Sequence, residues 1–70
     1  MIVRAPKSNN QMTYNEAILY CAFCAHDGHS DWRMPTEKEW MYQLDRTGWY
    51  LNDLYAIRRM WWCVIPVRDV

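Results

Sequence analysis

The sequence has no surplus of charge of either sign. Eight Lys and Arg balance eight Asp and Glu over 70 residues, so there is no basic field to draw in nucleic acid and no acidic tail to imitate it. No apolar run reaches membrane-spanning length. The opening Met1-Ile2-Val3-Arg4-Ala5-Pro6-Lys7 has neither the apolar stretch nor the small-residue cleavage site of a secretory leader. These absences predict a soluble, cytoplasmic chain with no nucleic-acid partner and no membrane partner. The cysteines do not come in an even set either. Three of them exclude a complete intramolecular disulfide framework and favour reduced thiols. No internal repeat and no low-complexity tract divides the chain, so residues 1–70 are read as a single domain.

A domain this small needs an unusually apolar core, or else a metal, a disulfide or a partner. The sequence takes the first route. Five Trp, five Tyr and one Phe supply large apolar areas that linkers and disordered tails do not contain.

Ile2 to Arg4, β-branched and soon followed by Pro6, reads as a short edge strand, and Lys7 to Gln11 as polar loop. Thr13 and Glu16 form a capping box, which predicts a helix over residues 14–25 closed by Gly28. Its small residues at 17, 21, 22, 24 and 25 leave a face another element can approach closely, with Tyr20 and Phe23 supplying bulk. His26 to Asp31 is polar loop.

The stretch Asp31-Trp32-Arg33-Met34-Pro35-Thr36-Glu37-Lys38-Glu39-Trp40 organises the rest. Pro35 biases Met34 toward extended geometry, and Thr36 with Glu39 makes a second capping box, so an extended arrival turns into a helix after Thr36. Trp40, Met41 and Leu44 recur at helical spacing, and Gly48 is the expected stop. Trp49 to Leu51 and Leu54 to Ile57 read as irregular structure with room for a short strand. Met60 to Arg68 is the best strand signal, bent or divided by Pro66 and expected at the sheet's centre. The economical assembly is an α+β domain. Two helices pack on a small antiparallel sheet that brings the N- and C-terminal strands together.

Met12-Thr13-Tyr14-Asn15-Glu16-Ala17 through Tyr20-Cys21, followed by the Asp31 to Trp40 motif, resembles the C-type-lectin-like domains. The Asp-Trp-Arg-Met-Pro-Thr core is similar to the Lcl-type C-terminal domain. Arg-Met-Pro-Thr-Glu-Lys-Glu-Trp is similar to the formylglycine-generating-enzyme-like, or sulfatase-modifying-factor, group. The closing Val64-Ile65-Pro66-Val67-Arg68 looks like the Lcl group's last strand. The resemblance implies a minimal C-type-lectin-like domain in which Trp32, Arg33, Pro35, Thr36, Glu39 and Trp40 are the structural motif. The family's ligand-bearing loop region is cut to about fifteen residues here. No acidic calcium cluster and no C-terminal cysteine pair of the oxidase kind is present, since Cys63 stands alone. This brevity looks most like a small free-standing bacterial or phage protein.

Cys21-x-x-Cys24-x-His26-x-x-His29 has zinc-like spacing. The competing reading takes precedence: cysteines in an alanine-lined helix behave as small hydrophobes, and a helix-buried thiol is a poor nucleophile. Glu37 and Glu39 suit the positive start of a helix better than a catalytic pair. Arg33 is expected to bond carbonyls and a carboxylate such as Glu39. Trp61 and Trp62 point to opposite faces of a strand, and with Trp49 and Tyr50 they are the candidate exposed aromatic patch. The expectation is a non-catalytic module, without cofactor or metal, that contacts a host protein or a second copy of itself through that patch. The alternatives are a carbohydrate-binding lectin-like module, or a zinc-dependent module using Cys21, Cys24, His26 and His29.

Overall fold

Two short strands at the chain ends lie side by side, and everything else is hung from that pairing. The computed structural model describes residues 1–53 and 61–70. In it β1 (Ile2–Arg4) and β2 (Val67–Asp69) form a two-stranded antiparallel sheet. Ile2 stands opposite Asp69, Val3 opposite Arg68 and Arg4 opposite Val67. The two helices are α1 (Tyr14–Ala22) and α2 (Glu37–Gln43), with a single 3-10 turn at His26–Gly28 between them. This is the expected α+β arrangement. No helix among the described residues is long and apolar enough to cross a membrane.

The pairing runs further than the strands do. Ala5 N–H donates to the Pro66 carbonyl at 2.9 Å, Ser8 N–H to Val64 at 2.9 Å, and Met12 and Trp62 exchange bonds of 2.8 and 3.0 Å. Residues 7–11, expected as free polar loop, therefore follow the C-terminal segment instead. Ser8 is buried because its hydroxyl accepts from Val64 N–H at 3.0 Å and donates to the Asn10 carbonyl at 2.9 Å. Buried backbone groups need partners, and the serine supplies them where the ladder slips out of register.

The long C-terminal strand is shorter than expected. Only Val67–Asp69 is regular, because Pro66 has no N–H to give and the partner chain drifts in register above it. With two strands the sheet has no centre, but the segment does bond on both sides: away from β1, Val67 exchanges two bonds with Arg33, of 2.8 and 2.9 Å, and the Cys63 carbonyl accepts from Trp49 at 3.0 Å. Met60 and the Leu54 to Ile57 segment lie outside the described residues.

Side-chain alternation along this segment divides the core. Val64 packs with Ala17, Cys21, Met34 and Trp49, whereas Ile65 and Val67 turn the other way to Leu44, with Ile2 against them. The radius of gyration, 11.0 Å, is about what 70 close-packed residues require.

Both helix starts are as read. Thr13 and Thr36 each accept from the N–H three residues on, at 3.3 Å, while Glu16 and Glu39 each reach back at 2.9 Å. Both helices end early. α1 stops at Ala22 with Phe23 as its cap, and α2 stops at Gln43, after which Asp45 and Arg46 adopt left-handed backbone. Gly48 therefore does not close α2. Its φ is +80°, and a Cβ there would lie 2.8 Å from the Cys63 carbonyl oxygen, so glycine is what lets the chain press onto the C-terminal segment.

Candidate binding surface

That close approach at Gly48 removes half of the expected aromatic patch. It drives Trp49 and Tyr50 straight into the interior, where Trp49 is 0 % exposed and Tyr50 is also buried. Trp49 donates its indole N–H to the Met12 carbonyl at 2.8 Å and meets Tyr14 and Trp62 edge-on at ring distances of 5.7 and 6.1 Å. Tyr50 stacks on Trp40 at 4.2 Å. Trp62 is half-buried against the same core and meets Trp40 edge-on. Of the four candidates only Trp61, 54 % exposed, stands on the surface. The correction is physical: a core this small uses nearly every aromatic within reach.

Within the Asp31 to Trp40 motif, Asp31, Trp32, Arg33, Pro35 and Glu39 are engaged by the fold itself. Arg33 grips Glu39 with parallel bonds of 2.8 and 2.9 Å, donates to the Met34 carbonyl at 3.3 Å, and holds Asp69 of β2 at 2.9 and 3.3 Å. It ties the start of α2 to the last strand. The guanidinium beside Glu39 holds that carboxyl down at about 2, and the two carboxylates push the Arg33 pKa up. Trp32 is buried beneath a cover of His26, His29 and Arg68, and its indole N–H donates to the His26 carbonyl at 3.1 Å. Arg68 in turn bonds Asp31 at 2.8 and 3.3 Å, which lowers the Asp31 pKa. Pro35 is fully buried, and its carbonyl accepts from Leu51 at 2.8 Å.

The cysteine and histidine cluster does not assemble. Cys21 faces the core beside Met34 and Trp49, and burial pushes its thiol up to about 12. Cys24 lies on the rim of α1, while His26 and His29 turn to the Trp32 ring. No group of three or more His, Cys, Asp or Glu among the described residues is placed to hold a metal ion.

The surface that sequence reasoning missed is on α1. Only Ala17 and Cys21 of this helix are buried, one turn apart on a single narrow stripe. The bulk assigned to packing faces outward instead. Phe23 is 82 % exposed, Leu19 57 % and Tyr20 41 %, and with Met12, Cys24 and Ala25 they line a shallow, open, largely apolar groove. Glu16 is the single charged residue on that groove, and its carboxylate is already occupied by the Thr13 N–H. The signal was present in the sequence. Ile18, Leu19, Tyr20 and Phe23 cannot all face one core from so short a helix when Ala17 and Cys21 already do, so some of that apolar surface must lie outside.

Compared with protein-family models, with curated proteins and with solved structures, the chain matches none.

Proposed function

We propose that this chain is a non-catalytic protein-binding module of C-type-lectin-like fold, acting in the cytoplasm of a bacterial cell or phage host. The observation that carries the reading is the outward apolar face of α1, with Phe23, Leu19 and Tyr20 beside an open groove. Contiguous exposed apolar side chains on a small soluble domain mark a contact surface. A nearly uncharged, shallow groove suits an amphipathic helix or apolar stripe of another protein better than an enclosed small molecule. Support for a non-catalytic role comes from the groups that could do chemistry. Cys21 is buried and protonated, and Arg33, Glu39, Asp31 and Arg68 are consumed by pairs that hold the fold.

The test places a photo-crosslinking residue at Phe23 or, as control, at Lys38 on α2. The captured protein is identified, purified, and its affinity measured for wild type and Phe23→Asp. Capture at Phe23 alone, with affinity reduced about tenfold or more by the charge, is the expected result. Equal capture at Lys38, or an unchanged affinity in Phe23→Asp, overturns the reading.

A further inference from the structure

We infer that β1 pairs with β1 of a second copy of this chain, antiparallel about a two-fold axis at Val3, joining two two-stranded sheets into one of four strands. This surface is separate from the α1 face and stands without it.

The backbone groups of β1 alternate in direction. Val70 N–H donates to the Met1 carbonyl at 3.3 Å and Ala5 N–H to the Pro66 carbonyl at 2.9 Å. Antiparallel bonding alternates, so Met1, Val3 and Ala5 direct their N–H and C=O groups toward β2, and Ile2 and Arg4 direct theirs away. On the far side of β2 the outward groups of Val67 are taken by Arg33. The open edge therefore belongs to the first strand, the one expected at an edge. Among the described residues no backbone group bonds the outward N–H or C=O of Ile2 or Arg4. A groove runs beside them, lined by Ile2, Val3, Arg4, Gln43 and Leu44.

An unpaired edge accepts any extended chain, but the residues here select their own copy. With the axis at Val3, Ile2 of each chain stands opposite Arg4 of the other, and both outward residues exchange both of their bonds. Val3, 40 % exposed, then meets Val3 of the second copy at the closest cross-strand spacing, an apolar contact between β-branched residues. Charge fixes the direction. Ile2, Arg4, Val67 and Asp69 share one face of the sheet, and antiparallel pairing places Arg4 of one copy in the row of Asp69 of the other. The distance is two strand spacings, roughly 10 Å, which the arginine crosses over Ile2. Parallel pairing of the same two edges needs a two-fold axis along the strands, which turns Arg4 of the second copy to the opposite face, so only antiparallel pairing forms this row. Arg4 makes no ion pair among the described residues, and Asp69, held by Arg33 on one side, keeps an exposed carboxylate to which a second arginine can add. Three paired residues make a weak interface, one that forms as concentration rises.

The experiment follows sedimentation equilibrium and amide hydrogen exchange of the full chain from micromolar to millimolar concentration. The expected result is a monomer–dimer equilibrium in which the Ile2 and Arg4 amides gain protection with concentration, while the Val3 amide is protected throughout. Arg4→Pro removes the outward N–H and no bond to β2, so it should weaken dimerisation about tenfold or more. Val3→Lys, which opposes two like charges across the axis, should do the same, and either variant retaining its cooperative melt suffices. A chain that stays monomeric, or Ile2 and Arg4 amides whose exchange ignores concentration, overturns the inference. So does a dimer that survives both variants but is lost in Phe23→Asp, an outcome that would support the α1 face as a contact surface while removing the edge.

Discussion

Arg33 and Glu39 are joined by two parallel hydrogen bonds of 2.8 and 2.9 Å, and the same carboxylate also accepts the Thr36 N–H that begins α2. Glu39 is thus both helix cap and arginine partner. Its carboxyl is held at about 2, below the ordinary 4.5, so the unfolded chain binds its proton first as the medium is acidified. The stabilisation is complete above about pH 5 and is lost as pH falls toward 2. Glu16 and Asp31 are shifted the same way and add to this acid limb. Glu39→Gln should cost about 1–3 kcal/mol at pH 7 and flatten the fall in melting temperature between pH 5 and 2. A mutant whose acid limb overlays that of wild type would remove Glu39 from this role.

Thr36→Ala should cost about 1 kcal/mol, the usual loss of a cap, because the Thr36 hydroxyl accepts only the Glu39 N–H. Thr13→Ala should cost a similar amount for the matching bond from Glu16. Urea denaturation of both variants checks this, and the expected signature is a shifted midpoint with an unchanged slope.

Trp32→Ala should cost roughly 3–5 kcal/mol, a large part of what so small a domain possesses. The indole fills the space under His26, His29 and Arg68 and satisfies the His26 carbonyl. Trp32→Phe keeps a ring there and should recover much of the loss. A cooperative melt unchanged in Trp32→Ala would show that this cover is dispensable.

The two glycines separate backbone conformation from close approach. Both have positive φ, but a Cβ at Gly28 meets nothing within 4 Å whereas one at Gly48 lies 2.8 Å from a backbone oxygen. Gly28→Ala should cost about 1 kcal/mol, and Gly48→Ala roughly 3 kcal/mol, since the clash adds to the left-handed penalty. Equal losses in thermal unfolding would mean that residues 47–49 move away from Cys63 at little cost.

What the sequence made legible was local. Two capping boxes, the extended backbone at Thr36 and the pairing of Arg33 with Glu39 all depend on residues within a few positions of one another, and the structure has each of them. Length and exposure were not local. Helix α2 ends at Gln43, and its cap Leu44 packs against Ile65 and Val67, partners that no residue near Leu44 encodes. Trp49 and Trp61 are the same residue type in similar company, yet one is buried and the other open. The difference lies in Gly48, whose missing side chain matters only once Cys63 is beside it. The α1 groove was hidden by the assumption that bulky residues on a helix pack inward.

The thiols provide the last prediction, because they decide between core packing and metal binding. Cys21 is 1 % exposed and its pKa is pushed up to about 12 by burial first and by Cys24 second, so near pH 8 it is neither thiolate nor accessible. Cys24 and Cys63 are half-buried. Native protein treated with a thiol-specific reagent should therefore lose Cys24 and Cys63 first, and Cys21 should react only at the rate at which the whole domain opens. A zinc site using Cys21 and Cys24 would require Cys21 to turn out of its packing against Met34, Trp49 and Val64, leaving a cavity at the centre of the core. Accordingly, purified protein should carry less than one zinc per chain, and chelator should leave its far-ultraviolet circular dichroism unchanged. Stoichiometric zinc lost together with structure, or Cys21 alkylated as fast as Cys24, would mean that α1 does not sit on the core as described.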